Sequence, residues 1–259
     1  MKRLISRWLT LFLIIGTLTA CHPWIPSPPT PRPPRVIRVV GSSDLAPVVK
    51  QAEERAREVE PTWHLVYAPT NTTTGLRLLR QGRGDVALAS WLSQRPGDGL
   101  SVYSLGMDAI AVIVHPGVGV EALDKRTLQR LFEGRYLRWT RVGGNDVPIR
   151  LVSREEGSGT RMAFETLMME GHPVALTAVV MPSAQDVVRY VARHEGAIGY
   201  VSIRLVHQGV DVLAIDGHLP TKEAIERGQY PLVRETYAVF RPTARDVVDL
   251  FVGSDGREP

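Results

Sequence analysis

Three short segments place hydroxyl side chains directly after apolar, strand-like stretches. They are 41–47 (GSSDLAP), 69–76 (PTNTTTGL) and 154–161 (REEGSGTR). Each segment opens into a stretch with helical spacing, and the first backbone N–H groups of a helix have no partner within it. These groups, together with the positive end of the helix dipole, bind anions. Arg154 adds a guanidinium that can meet an oxyanion with two parallel hydrogen bonds.

Helix capping is the alternative explanation for each segment, because Ser, Thr and Gly are common where helices begin. For any single segment, capping is the simpler explanation. Three such segments, one of them with an arginine, favour a shared site, because a tetrahedral oxyanion accepts hydrogen bonds from several directions. Glu155 and Glu156 would repel an anion, so we expect them to face solvent or to pair with arginines.

Other chemistries have weaker support in the 259 residues. The sequence contains no GxxxxGK[ST] phosphate loop, and the glycines around Ser158 do not form the GxSxG turn of many hydrolases. The seven histidines are scattered without metal-ligand spacing. The net charge is only +4, with no basic run among aromatic residues. We therefore expect neither a cofactor, nor a metal, nor a nucleic-acid partner.

The first 35 residues have the pattern of an export signal followed by a tether. Lys2, Arg3 and Arg7 precede the short apolar stretch WLTLFLIIGTLTA, which ends at Cys21, the one cysteine of the chain. This order predicts a signal peptide over 1–20. The sequence LTAC resembles the lipobox of bacterial lipoproteins, which implies a lipid on Cys21; an ordinary secretory signal is the alternative. The proline-rich segment 21–35 predicts an extended tether, with a PxxP interaction motif as the alternative.

From Val36 onward, strand-like and helix-like segments alternate, which predicts an α/β fold with largely parallel sheets. The predicted strands are 36–40, 63–68, 85–90, 108–114, 147–153, 197–202 and 236–240. The predicted helices are 44–60, 74–82, 124–134, 159–171, 184–196 and 244–252. In sheets of this kind, ligands bind where strands end and helices begin. The three hydroxyl-rich segments lie at such positions.

Several motifs, in this order along the chain, resemble the phosphate-binding proteins of bacterial ABC importers. They are GSS…AP, MDAIAVIVHP, LFEGRYLRWTRVGG, REEGSGTR and EGAIGYVS, and the resemblance runs from Val36 almost to the C-terminus. It implies the two-lobe, type II fold of periplasmic binding proteins, with a largely parallel sheet flanked by helices in each lobe and a hinge between them. Lobe one would comprise 36–114 and 208–259, and lobe two 115–207.

The same resemblance implies which residues contact phosphate. Ser43 would supply a hydroxyl and Asp44 its backbone. The remaining implied ligands come from the second and third segments: Thr72 with its neighbour Thr73, then Arg154, Ser158, Gly159 and Thr160.

One position departs from the family pattern. Some relatives have an aspartate after the third strand that accepts the proton of phosphate, whereas this chain has Trp91 there. We expect Trp91 to pack between elements. The proton acceptor would then be a backbone carbonyl, or Asp44 or Asp85 if either turns inward.

These observations predict a lipid-anchored, extracytoplasmic solute-binding protein and not an enzyme. It would bind inorganic phosphate, deliver it to the transmembrane subunits of an ABC permease, and act as a monomer. The alternatives are another oxyanion such as sulfate, molybdate or tungstate, a receptor that senses an anion without transport, and a hydrolase that uses Ser158.

Overall fold

A computed structural model describes residues 34–97 and 99–252 of the chain as a mixed α/β structure. The strands are β1 Arg35–Ser42, β2 Trp63–Thr70, β3 Val86–Ala89, β4 Ser101–Val114, β5 Ala122–Leu123, β6 Arg150–Arg154, β7 Val179–Met181, β8 Ala197–Ser202, β9 Asp211–Val212, β10 Ala214–Ile215 and β11 Val233–Phe240. The α-helices are α1 Ala46–Val59, α2 Thr72–Arg80, α3 Lys125–Phe132, α4 Gly159–Phe164, α5 Ala184–Arg193, α6 Lys222–Glu226 and α7 Val248–Val252.

The main sheet is parallel in its outer parts and antiparallel in its middle. Its strands lie in the order β2-β1-β3-β11-β4-β8-β6-β7, and β9 also pairs with β4. β1 runs parallel to β2 and β3, and β6 runs parallel to β7 and β8. β11 and β4 are antiparallel to their neighbours. The predicted parallel α/β units are therefore present, and they are joined through two antiparallel strands.

The buried apolar residues pack in two regions, one at each end of the sheet. The first core surrounds β1, β3, β11 and the first half of β4, with α1, α2 and α7 packed on it. The second core surrounds β6, β8 and the second half of β4, with α3, α4 and α5 packed on it. β4 contributes to both cores, because Tyr103 is buried in the first and the whole segment 109–114 in the second.

The residues that follow Gln208, the second predicted lobe boundary, pack with the second core. Leu213, Ile215, Ala224 and Leu232 are buried in the second core. β9 pairs with the end of β4, and β10 pairs with β5. We therefore propose that the chain returns to lobe one near Leu232, where β11 begins, and not at Gln208.

Close backbone packing brings the start of α2 next to the end of β1. A Cβ atom on Gly75 would lie 2.4 Å from the Cα of Gly41, and a Cβ on Gly41 would lie 2.3 Å from the carbonyl oxygen of Leu88. Gly41 also has a φ of 111°, which side chains other than that of glycine rarely allow. These glycines allow the first two hydroxyl-rich segments to lie side by side.

Each predicted strand and helix from Val36 onward has a counterpart in the structure, although the boundaries differ. β4 begins at Ser101, well before the predicted start at residue 108, and the predicted helix 159–171 is α-helical only to Phe164 and then forms a π-helical turn, Glu165–Met169. The predicted signal peptide, Cys21 and the tether up to residue 33 lie outside the described residues. Within the described ranges, no helix is both long and apolar enough to cross a membrane.

Candidate anion-binding site

The ends of β1, β2 and β6 bring the three hydroxyl-rich segments together. Arg154 is the last residue of β6, and its side chain is 1% exposed although it carries a charge. Its Nη1 lies 3.1 Å from Oδ2 of Asp44, and its Nη2 lies 3.4 Å from Oγ of Ser43. These residues are 110 and 111 positions apart in the chain. The sheet topology thus joins the first and third segments at one buried guanidinium.

A second carboxylate, that of Glu155, forms an ion pair with the same guanidinium from the more exposed side. Glu155 accepts hydrogen bonds from Nε and Nη2 of Arg154, at 2.9 and 3.1 Å, and its own side chain is 22% exposed. Arg161 donates to the carbonyl oxygen of Arg154 at 3.0 Å and pairs with Glu165. The bonds to Glu155 fix the orientation of the Arg154 side chain, and the bond from Arg161 holds its backbone. Glu155 therefore pairs with an arginine, one of the two arrangements that we predicted for it.

Asp44 points its carboxylate into this cluster. Oδ2 accepts hydrogen bonds from Arg154 and Ser42, whereas Oδ1 is the one buried side-chain polar atom without a hydrogen-bond partner among the described residues. Burial raises the pKa of Asp44, but the positive charges of Arg154 and Arg234 outweigh it and lower the pKa below its ordinary value; the nearby hydroxyl of Thr160 acts in the same direction. The carboxylate is therefore ionised, with one oxygen left to accept.

Hydroxyl groups from the first and second segments form one connected group beside Asp44. Ser42 shares a hydrogen bond with Ser90, which follows β3. Thr72, the first residue of α2, accepts a hydrogen bond from the backbone N–H of Ser90 at 3.1 Å. Ser43 accepts one from the N–H of Ala184, the first residue of α5, at 3.2 Å. Because Thr72 and Ser43 accept bonds from backbone N–H groups, their own hydroxyl protons remain available for an anion, whereas Ser42 donates its proton to Asp44.

The start of α4 closes the site from the third segment. Ser158 is its N-cap and accepts a hydrogen bond from the N–H of Arg161 at 3.3 Å. A Cβ atom on Gly159 would lie 2.4 Å from Oγ1 of Thr72 and 2.9 Å from the backbone nitrogen of Trp91. Only glycine permits this close approach. Thr160 is fully buried, and its Oγ1 accepts a hydrogen bond from Nη1 of Arg234 at 2.7 Å.

Backbone contacts join the second and third segments at the rim of the site. The N–H of Thr73 donates to the carbonyl oxygen of Gly157 at 3.1 Å, and the side-chain amide of Asn71 donates to the carbonyl oxygen of Glu156 at 3.3 Å. The side chains of Thr73 and Glu156 are exposed. The site is therefore covered on this side by the protein itself.

Comparison with known protein families identifies the superfamily to which the chain belongs. The model of the PBP superfamily domain matches residues 28–253. The chain belongs to the PBP superfamily. Its fold is that of the type II periplasmic binding proteins, as predicted.

Individual relatives support the predicted resemblance to phosphate-binding proteins of ABC importers. The phosphate-binding protein PstS of Bacillus subtilis (strain 168) is 29% identical over 202 residues, which cover 76% of this chain and 67% of the relative. A crystal structure from Clostridium perfringens, described as a phosphate ABC transporter substrate-binding protein with bound phosphate, is similar with a TM-score of 0.79 and 25% identity, covering 85% of this chain and 94% of that one. An ABC-type phosphate transport receptor from Vibrio cholerae has a TM-score of 0.65 and 26% identity, covering 83% and 93%.

Within this PBP fold, most of the residues that we predicted as ligands lie close together. Ser43, Asp44, Thr72, Arg154, Ser158, Gly159 and Thr160 are all buried in the cluster. Two details differ from the prediction. Asp44 brings its carboxylate and not only its backbone, and Thr73 presents its backbone to Gly157 while its side chain faces outward.

The two other residues that we singled out take different positions. Trp91 follows β3, a strand of the first core, but it is partly buried against the second core. It therefore packs between elements, as we expected. Asp85 turns away from the site and pairs with Arg38 at 2.8 Å. Of the two carboxylates that we considered as proton acceptors, only Asp44 faces the site.

Four polar residues of the site do not stand out from the sequence pattern: Ser42, Ser90, Asp108 and Arg234. Arg234 alone could have been found from the sequence, because strand alternation places it on the buried face of β11. An unpaired charge is costly there, so a buried arginine predicts a partner. Among the described residues, no group of three or more His, Cys, Asp or Glu side chains could hold a metal ion.

Proposed function

We propose that the protein binds inorganic phosphate at this site, between its two lobes, and delivers it to the permease of an ABC importer. The observation that carries the proposal is the fully buried Arg154, which lies among hydroxyls from three separate segments and beside the start of α4. A buried cation with hydroxyl groups and a helix start nearby is suited to a small anion that loses its hydration shell. Relatives named as phosphate-binding proteins support the same ligand.

Phosphate is favoured over sulfate by the unpartnered oxygen of Asp44. Near neutral pH, phosphate carries at least one proton and sulfate carries none. A protonated oxygen can donate to Oδ1 of Asp44, whereas a bare oxygen would face a like charge. In this proposal Asp44 takes the role for which Trp91 is unsuited, since an indole ring only donates.

Transport is the favoured use of the bound anion. Relatives described as ABC-type phosphate receptors support a permease as the partner, and the charged start, apolar stretch and LTAC sequence support an extracytoplasmic position with a lipid on Cys21. We further propose that the protein acts as a monomer. Genes for permease and ATPase subunits next to this gene would separate transport from sensing.

Hydrolysis by Ser158 has less support than binding. A serine nucleophile needs a base within hydrogen-bond reach. In the described structure, the hydrogen bond of the Ser158 hydroxyl is the helix cap from Arg161, and no hydrogen bond joins that hydroxyl to a histidine or a carboxylate. The relatives are substrate-binding proteins of importers, which also favours a non-enzymatic function.

Calorimetric titration of the soluble chain with phosphate, sulfate, molybdate and tungstate at equal ionic strength tests the proposal. We expect phosphate to bind most tightly. Tighter or equal binding of one of the other three would transfer the function to that oxyanion. Hydrolysis of model phosphate or carboxylate esters that is abolished by Ser158→Ala would instead favour an enzyme.

A further inference from the structure

A charged pair on β4 and β11 reaches the anion site through a single hydroxyl group. We propose that Arg234 is a positioning residue of the site: held by Asp108, it fixes the Thr160 hydroxyl so that the hydroxyl proton points toward the bound anion. This inference rests on the proposed function, because it takes Thr160 as a ligand of the anion. It adds a residue that lies 74 positions from Thr160 in the chain.

The pair between Arg234 and Asp108 is completely buried. The two residues lie opposite each other in the register of β11 and β4. Nε and Nη2 of Arg234 donate to Oδ2 of Asp108 at 3.1 and 2.9 Å, and both side chains are 0% exposed. Burying two charges is costly, and well-packed apolar residues often stabilise a core equally well. The pair therefore calls for an explanation beyond stability.

The carboxylate of Asp108 is itself held from a second direction. Its Oδ1 accepts a hydrogen bond from Ser202 at 2.9 Å, and Nε of Arg204 lies 3.4 Å away. Ser202 ends β8, so this oxygen is fixed from the second core. Because Asp108 cannot turn, the guanidinium of Arg234 has one orientation, in which Nη1 faces α4.

The remaining donor of Arg234 determines how Thr160 can act. Nη1 donates to Oγ1 of Thr160 at 2.7 Å. A guanidinium has no acceptor, so the threonine hydroxyl must accept here and direct its own proton elsewhere. The preceding residue, Gly159, packs against the hydroxyl of Thr72 and the backbone of Trp91, so the first turn of α4 lies at the anion site. Thr160 is thereby prepared as a donor, and the adjacent positive charge strengthens it.

A double-mutant cycle separates this role from two others. Arg234→Lys keeps the charge beside Asp108 but lacks the planar fork that reaches Asp108 and Thr160 at once. Thr160→Val removes the hydroxyl and keeps the branched shape. Phosphate affinity is measured for the wild type, both single variants and the double variant. We expect Arg234→Lys to weaken phosphate binding about five-fold in the wild type and less than about two-fold in the Thr160→Val variant. The reason is that the effects of two residues acting through one contact do not add.

Arg204→Lys is the matched control, because Arg204 also faces Asp108 and makes no hydrogen bond to Thr160. It should change phosphate affinity less than about two-fold. Equal losses from Arg234→Lys in both backgrounds would overturn the inference and make Arg234 a direct ligand. A lower melting temperature with unchanged affinity would also overturn it and leave a purely structural pair.

The identity of the anion does not affect the reasoning. If the wild type binds sulfate or molybdate in place of phosphate, the proposed phosphate function is wrong, and the same cycle run with the bound anion still tests Arg234. If none of phosphate, sulfate, molybdate and tungstate binds to the wild type, both proposals fail.

Discussion

Arg154 carries the positive charge that the proposed ligand would meet, and two acids already share it. We expect Arg154→Ala to weaken phosphate binding by at least about ten-fold, because a hydrogen bond to a charged group contributes about 1.5–3 kcal/mol and 1.4 kcal/mol corresponds to a factor of ten. Calorimetric titration measures the change. Arg161→Ala is the control: it removes a contact with the carbonyl oxygen of Arg154 and the ion pair with Glu165, so its effect on phosphate binding should be smaller. Equal effects would mean that Arg154 does not contact the anion.

Asp44 should control which oxyanion is accepted. Asp44→Asn replaces the ionised acceptor with an amide of the same shape that can donate to an unprotonated oxygen. We therefore expect weaker phosphate binding, tighter sulfate binding and a smaller ratio between the two affinities. Asp85→Asn is the control, because Asp85 pairs with Arg38 away from the site. An unchanged ratio in Asp44→Asn would assign the selectivity to another group.

The individual ligands differ in how far the sequence could predict them. Arg154, Ser158 and Thr160 lie within one short segment, so residue types and spacing sufficed. The inward turn of Asp44 depends on Ser42 in its own segment and also on Ser90 and Arg154, which come from distant segments. No local pattern contains that information. Arg234 was missed for the same reason, because its partners Asp108 and Thr160 lie on β4 and α4.

Among the structural elements, the start of α4 depends on a glycine. In Gly159→Ala the new methyl group would collide with Thr72 and with the backbone of Trp91. Helix propensity alone would favour alanine. We therefore expect weaker phosphate binding, because α4 and α2 cannot approach each other as closely, while the circular dichroism spectrum stays unchanged. Gly97→Ala is the control, because nothing lies within 4 Å of its added methyl group. Full affinity in Gly159→Ala would show that the close contact is dispensable.

The long elements were predictable because they show a clear period. β1, α1 and β8, for example, follow from β-branched runs or amphipathic spacing. β5, β9 and β10 have only two residues each, too few for any period. They exist because neighbouring backbone groups pair with them. The pairing of β9 with β4 and of β10 with β5 also supports our proposal that the chain returns to lobe one near Leu232 and not at Gln208.

For the whole molecule, an anion that contacts both lobes must favour the closed arrangement. Ser43 and Thr72 lie at the first core, whereas Arg154 and Thr160 lie at the second. We expect small-angle scattering to give a smaller radius of gyration with phosphate than without it. The Arg154→Ala variant serves as the control and should show little change at the same phosphate concentration. Identical curves for the wild type with and without bound phosphate would contradict closure.

The position of the whole molecule in the cell should depend on Cys21. If Cys21 carries the lipid, Cys21→Ala should release the protein from the membrane fraction or leave it unprocessed. Fractionation and mass determination of the mature chain measure both outcomes. Wild-type processing together with membrane retention in the variant would exclude the lipid anchor.

The rim of the site is closed by main-chain groups, with the Thr73 N–H bonded to the Gly157 carbonyl and exposed side chains on either side. This backbone hydrogen bond does not depend on which side chain stands at position 73 or 156, whereas Gly157 is constrained by its positive φ. The side chains of Thr73 and Glu156 are therefore free to change during evolution without loss of closure. A lineage could thus adapt this rim to a new permease while the buried anion site, and with it the choice of ligand, stayed the same.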